Sequence, residues 1–226
     1  MLMRLLWSGL ALALVTAVAP AQVVTLDEGS FTLFLGAERV GREEFSLRRV
    51  TDASGSTILS SATIAWGARR LAPALRTDAA GAPSSYQIEI RDEGRVTTMV
   101  TASVAAGRLS QRVLTDKGES ARQFPLTPGT LILDEDVVHQ YYFVAQRGAG
   151  TIPVLIPRRL GRESVTVAER PATAVEIGTG TVPARHLTIT DGTGTVTDLW
   201  VDSAGRLLRL SVGARGFVAV RDEPPR

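Results

Sequence analysis

Alternation at every second residue constrains this chain more than any other feature. Phe31, Leu33 and Leu35 share one parity, with Thr32 on the other and Phe34 interrupting the polar side. Ile58, Ala62, Ile64 and Trp66 face away from Thr57, Ser61 and Thr63. Tyr86, Ile88 and Ile90 oppose Gln87 and Glu89, and Val96, Thr98 and Val100 alternate with Thr97 and Met99. Leu187 and Ile189 oppose His186, Thr188 and Thr190; Leu208, Leu210 and Val212 oppose Arg209 and Ser211. A period of two places each apolar set on one face of a half-buried strand. Glycine punctuates the runs, in Asp92-Glu93-Gly94, Ala105-Ala106-Gly107, Asp116-Lys117-Gly118, Asp191-Gly192 and Ser203-Ala204-Gly205. These are hairpin turns, in which glycine supplies the positive φ that tight connections need. Repeated strand-turn units read as an antiparallel meander.

One stretch departs from this period. Residues 134–148 open with Asp134, Glu135 and Asp136, close with Arg147 and Gly148, and place Val137, Val138, Tyr141, Tyr142 and Ala145 at helical spacing. Acids at the start and a base with glycine at the end suit the two poles of a helix. The spacing predicts one helix over 134–148, with six or seven strands before it and about five after it.

The N-terminus carries a targeting pattern. Arg4 precedes an apolar stretch from Leu5 to Val18, and Ala19-Pro20-Ala21 supplies small residues for cleavage. Residues 1–21 are therefore expected to be a secretory signal peptide, and the mature chain periplasmic or secreted. No cysteine follows to carry a lipid anchor, and the rest of the chain lacks a run of 18 apolar residues, so no transmembrane segment is expected in the mature protein. Residues 22–221 form the expected single β-rich domain, and 222–226 a disordered tail.

Composition narrows the chemistry. Without cysteine there is no disulfide framework, thiolate metal site or thiol nucleophile. The net charge is only +2, and the basic residues, all arginine but Lys117, are dispersed, so no nucleic-acid footprint forms. Neither G-x-S-x-G nor S-x-x-K is present. Gly178-Thr-Gly180 runs on through Thr181-Val182-Pro183 into a strand, not into the helix that would hold a phosphate. Asp136 and His139 stand three residues apart on the expected helix, but a metal would need a third ligand from elsewhere. Glu43, Glu44, Asp198 and Asp202 lie on strands, where a pair facing each other would suit glycoside chemistry. No catalytic residue, metal ligand or cofactor is assigned.

The aromatic residues form the candidate ligand-binding set. Tyr141, Tyr142 and Phe143 are consecutive on the expected helix and cannot all face its sheet contact. Trp66 and Trp200 stand on strands. Two readings stay open for Trp66, Tyr141, Tyr142 and Trp200: ordinary core packing, or the lining of an apolar cavity between a curved sheet and a helical lid.

The layout also carries a resemblance. The Gly29–Glu43 hairpin, the central Leu133-Asp134-Glu135-Asp136-Val137-Val138-His139-Gln140-Tyr141-Tyr142 stretch, and the Val182–Leu187 and Leu199-Trp200-Val201-Asp202 strands ending in Gly205-Arg206-Leu207 are similar to uncharacterised secreted bacterial proteins. The half-barrel of that family resembles the lipoprotein-localisation carriers LolA and LolB. The resemblance implies a mainly β fold: a curved antiparallel sheet, or half-barrel, with one central helix as lid. It further implies a non-catalytic protein that holds a lipid, acyl chain or envelope partner in the concave face. A filled core acting through its surface, or a carboxylate-based hydrolase, are the alternatives.

Overall fold

The computed structural model describes residues 22–53 and 55–226, so the expected signal peptide lies outside the described residues. Eight strands come first: β1 (Gln22–Leu35), β2 (Glu38–Asp52), β3 (Gly55–Trp66), β4 (Arg69–Asp78), β5 (Pro83–Asp92), β6 (Arg95–Ala105), β7 (Arg108–Thr115) and β8 (Gly118–Pro125). A two-residue strand β9 (Leu131–Ile132) and helix α1 (Tyr141–Arg147) follow. Then come β10 (Gly150–Ile156), β11 (Gly161–Ile177), β12 (Gly180–Thr190), β13 (Val196–Val201), β14 (Leu207–Val212) and β15 (Phe217–Arg221).

All fifteen strands belong to one sheet, in the order β8-β7-β6-β5-β4-β3-β2-β1-β15-β14-β13-β12-β11-β10-β9. Each neighbouring pair is antiparallel except β9 with β10. The first and last strands meet in the middle, with Phe31 opposite Arg221 and Leu35 opposite Phe217. The two edges, β8 and β9, are joined by residues 126–130 alone. Five residues span no more than about 20 Å, so the sheet must curl until its edges approach. They meet without a ladder. Gln111 Nε2 donates to the Pro157 carbonyl and Arg122 Nη1 to the Leu160 carbonyl (3.2 Å). Arg122 and Arg162 both stand over the Phe124 ring. The result is a curved, unclosed sheet with a seam held by side chains; its antiparallel meander is what the alternation and turns predict, and its curvature what the resemblance implies.

The inward parity of nearly every strand joins one hydrophobic core. Two bulges move residues that the alternation alone places inside. The register shift between Ile90 and Arg91 leaves Val96 exposed. The shift between Trp200 and Val201 puts Leu207 in the main core and turns Leu208 to the outer face. There Leu208 and Trp200 are covered by the far arm of the β11–β12 hairpin through Val175, Ile177, Val182 and Ala184, which form a second small core.

The segment after β9 fills the concave side. Val137, Val138, Phe143, Val144 and Ala145 are buried in the main core, so residues 133–147 act as a plug rather than a detached lid. The helix within it is shorter than the spacing predicts, covering only Tyr141–Arg147 with Gln140 at its N-terminal boundary. The cause is polar. The backbone N–H groups of Val138 and His139 donate to the Glu43 carboxylate on β2 (both 2.8 Å), and Asp134 is turned towards Tyr86 on β5. Asp136 adopts a left-handed φ of 57°. An early helical turn cannot form while its residues serve these contacts.

The C-terminus is also more fixed than a frayed tail from residue 222. Asp222 accepts hydrogen bonds from the Ser30 and Thr32 hydroxyls (both 2.6 Å), and its N–H donates to the Ser30 carbonyl.

Candidate functional site

The plug divides the interior into a closed region and an open one. On the closed side, Glu43 and His139 are fully buried, and His139 Nδ1 lies 2.6 Å from Glu43 Oε1. An ionised Glu43 makes Nδ1–H the donor. The imidazole stacks on Phe45, which stacks on Phe31. Nearby, the Tyr86 hydroxyl donates to Asp134 Oδ2 (2.7 Å), Arg158 Nε donates to Asp134 Oδ1 (3.1 Å), and Asp134 N–H donates to Gln140 Oε1 (2.6 Å). Burial and the adjacent Asp134 carboxylate push the Tyr86 phenol well above its ordinary value. These groups anchor the plug, while His139 Nε2, Gln140 Nε2 and Arg158 Nη2 stay buried without a hydrogen-bond partner; both side chains of the Glu43–His139 pair are fully covered.

The open side is a cleft of about 410 Å³ between the plug and the β10–β14 half of the sheet. Its floor is made by the inward side chains of Val154, Val165, Ile189 and Val212, with Thr197 from β13 among them. These residues are almost covered, so the space above them is narrow. Tyr141 forms the wall on the plug side, and burial pushes its phenol up to about 12. The rim is charged, with Glu135, Asp136, Glu163 and Asp191 against Arg159 and Arg215, and the buried Asp134 lies behind it. Glu135 pairs with Arg159, and Asp136 with Arg215 at 2.9 Å. Burial, then the neighbouring Asp191, raise the Glu163 carboxyl above the ordinary value; Arg159 opposes them. Burial also pushes Asp191 up, but the Thr193 hydroxyl and the N–H groups of Thr195 and Thr193 outweigh it and leave that carboxyl below its ordinary value.

A larger hollow of about 540 Å³ beside β1 and the C-terminal residues is lined by Asp27, Phe45 and Arg221. Its central cation is fully engaged. Arg221 holds Asp27 in a forked pair (2.7 and 3.0 Å) and also donates to the carbonyls of Leu207, Glu28 and Glu223. It offers a ligand no free donor.

The structure disperses the four aromatic candidates. Tyr141 lines the cleft. Tyr142 is its neighbour in sequence but is buried in another neighbourhood, near Asp27, Arg49, Asp202 and Arg206, with its ring edge-on to Phe143. Trp66 packs against the main core and stacks on Phe217 at 5.4 Å. Trp200 is on the outer face between His186 (4.7 Å) and Arg209 (5.3 Å). The strand acids do not converge either. Glu43 bonds the plug, Glu44 lies near Arg42, Asp198 binds His186 at 2.7 Å and Asp202 binds Arg206. Asp136 and His139 face different partners, Arg215 and Glu43, and no group of three metal-ligating side chains occurs among the described residues.

The cleft floor was visible in the sequence only as the apolar parity of its strands. Nothing local marks Val165, Ile189 or Val212 as different from core residues elsewhere.

No family model matches the chain, and no curated protein matches it. Two solved structures are similar over most of their length. One is a β-barrel-like protein of the domain of unknown function DUF1849 from Brucella abortus, at 11% identity and a TM-score of 0.53 over 91% of this chain and 96% of that one. The other is a DUF1089 family protein from Pseudomonas aeruginosa, at 19% identity and a TM-score of 0.40 over 91% and 95%. The first establishes a shared β-barrel-like fold and nothing about a ligand.

Proposed function

We propose that this is a non-catalytic binding protein of the periplasm or cell exterior, which holds a slim apolar or amphiphilic molecule in the cleft beside Tyr141. One observation carries the reading. Over β10–β14 the concave face keeps an apolar floor beneath a polar rim, beside the plug, in a volume within the usual range for small-molecule sites. The layout similar to lipoprotein-localisation carriers supports the same class of ligand, with the binding space confined to one mouth instead of the whole concave face. The non-catalytic part of the reading is supported by the burial of the Glu43–His139 pair, both of whose side chains are fully covered.

The test is gentle purification from the native compartment, followed by native mass spectrometry and solvent extraction. A near-stoichiometric apolar or amphiphilic molecule is expected. A clean protein mass, together with no uptake of a neutral naphthylamine probe, overturns the proposal. That result would favour an assembly factor working through its surface, a reading supported by how completely the plug fills the first half of the sheet.

A further inference from the structure

We infer that the molecule held in this cleft carries a positive charge at its polar end, as an amine or quaternary ammonium attached to a slim apolar body. The inference rests on the cleft being the binding site. Five carboxylates line it against two guanidinium groups. Their pairing decides what remains for a ligand. Glu135 is taken by Arg159 and Asp136 by Arg215, while Asp134 points inward to Tyr86 and Arg158. Both lining arginines are thereby committed. Asp191 turns its acceptor oxygen to its own loop, through the N–H groups of Thr193 and Thr195 and the Thr193 hydroxyl. Glu163 makes no hydrogen bond or ion pair within 4 Å among the described residues.

The cleft therefore presents two carboxylates without a bound cation, close enough to feel each other, above an apolar floor. Both carboxylates line the same cleft, and a cation between them would offset their like charges. Tyr141 stays a neutral phenol at ordinary pH and adds no charge of its own, and aromatic faces attract cations. An anionic head, whether carboxylate or phosphate, would enter a cleft where carboxylates outnumber guanidinium groups and each guanidinium already has a carboxylate partner.

Three ligands of equal chain length separate the possibilities: octyltrimethylammonium, octanol and octanoate, each titrated calorimetrically into the purified chain at low salt and below its aggregation threshold. The ammonium is expected to bind at least about tenfold more tightly than the carboxylate, a difference of about 1.4 kcal/mol, with the alcohol between them. Raising the salt should shrink the gap, since the rim is solvent-exposed. Glu163→Gln, a change on the accessible part of β11, should weaken ammonium binding several-fold more than octanol binding; an equal loss for both overturns the inference. Equal binding of all three, or tighter octanoate, overturns the inference and leaves the cleft as a binding site. No binding of any of the three overturns both.

Discussion

The two arms of the sheet have the same alternating pattern and different interiors. From β1 to β7, inward side chains such as Leu33, Leu47, Ile64, Ile88 and Val100 are buried with the plug in the main core. From β10 to β14, Val154, Val165, Ile189 and Val212 belong to the same core but also form the floor of a cleft. The strands do not differ in kind. The difference is the plug's path, which is fixed by two polar anchors on the first arm, Glu43 on β2 and Tyr86 on β5. Core and cavity on one sheet are distinguished by what lies over them, and here buried hydrogen bonds decide that.

The comparison can be broken at its anchor. Glu43→Ala leaves the N–H groups of Val138 and His139 and the His139 ring without their acceptor, in a fully buried place. Removing one partner of such a set costs about 3–5 kcal/mol. The variant should show a sharply lowered denaturation midpoint and bind a hydrophobic dye as the first arm loses its cover; an unchanged midpoint would show that apolar packing alone seats the plug.

Overfilling sharpens the contrast. Val100→Trp, in the closed arm, should cost about 1–3 kcal/mol or more because no space receives the ring. Ile189→Trp has the cleft to enter, and should cost under about 1.5 kcal/mol while abolishing ligand uptake. Equal losses of stability would mean that the cleft is not an adaptable space. Tyr86→Phe is a smaller change. It removes one of several bonds to Asp134, which Arg158 still holds, and should lower stability by about 1–2 kcal/mol.

The smallest effect lies at the far end of β15. Burial pushes the Asp222 carboxyl up, but the Ser30 and Thr32 hydroxyls, with Arg42, outweigh it and hold the folded value below 3.8. A carboxyl lowered by folding contributes stability that is present above its unfolded value and lost as the pH falls through the folded one. Asp222→Asn should therefore lower the midpoint slightly at neutral pH and make its decline below about pH 4 shallower, as read by thermal melts across that range.

Much of this architecture was legible in the chain. The parity of residues 57–66, 86–90 and 187–190 marks strands, and the glycine turns set their antiparallel order. The plug was not legible in the same way. Val137, Val138, Tyr141 and Tyr142 carry a helical period, yet Val138 and the adjoining His139 are held by a carboxylate nearly a hundred positions away, and no local pattern announces such a partner. Glu43 itself reads as an ordinary strand acid until the register points it inward. The same holds for the site. Of four aromatic candidates, only Tyr141 lines the cleft, because Trp200 sits on the outward parity of β13 and Trp66 and Tyr142 are packed in the interior. The unmatched charge at Glu163 depends on which arginines are already occupied, and that is a property of the assembled rim.

The pairing of β1 with β15 gives this chain an unusual order of completion. In most meanders the last strand made adds an edge; here it fills a gap beside the first, bringing residue 31 to residue 221. The β1–β8 hairpins are local and can form as they appear, but each arm keeps an unpaired strand facing the vacancy until the final residues arrive. Closing a loop of that length is entropically slow, and an exposed strand edge invites wrong partners in the meantime. β15 is thus the keystone of the sheet, and until it pairs with β1 and β14 the molecule remains two half-sheets.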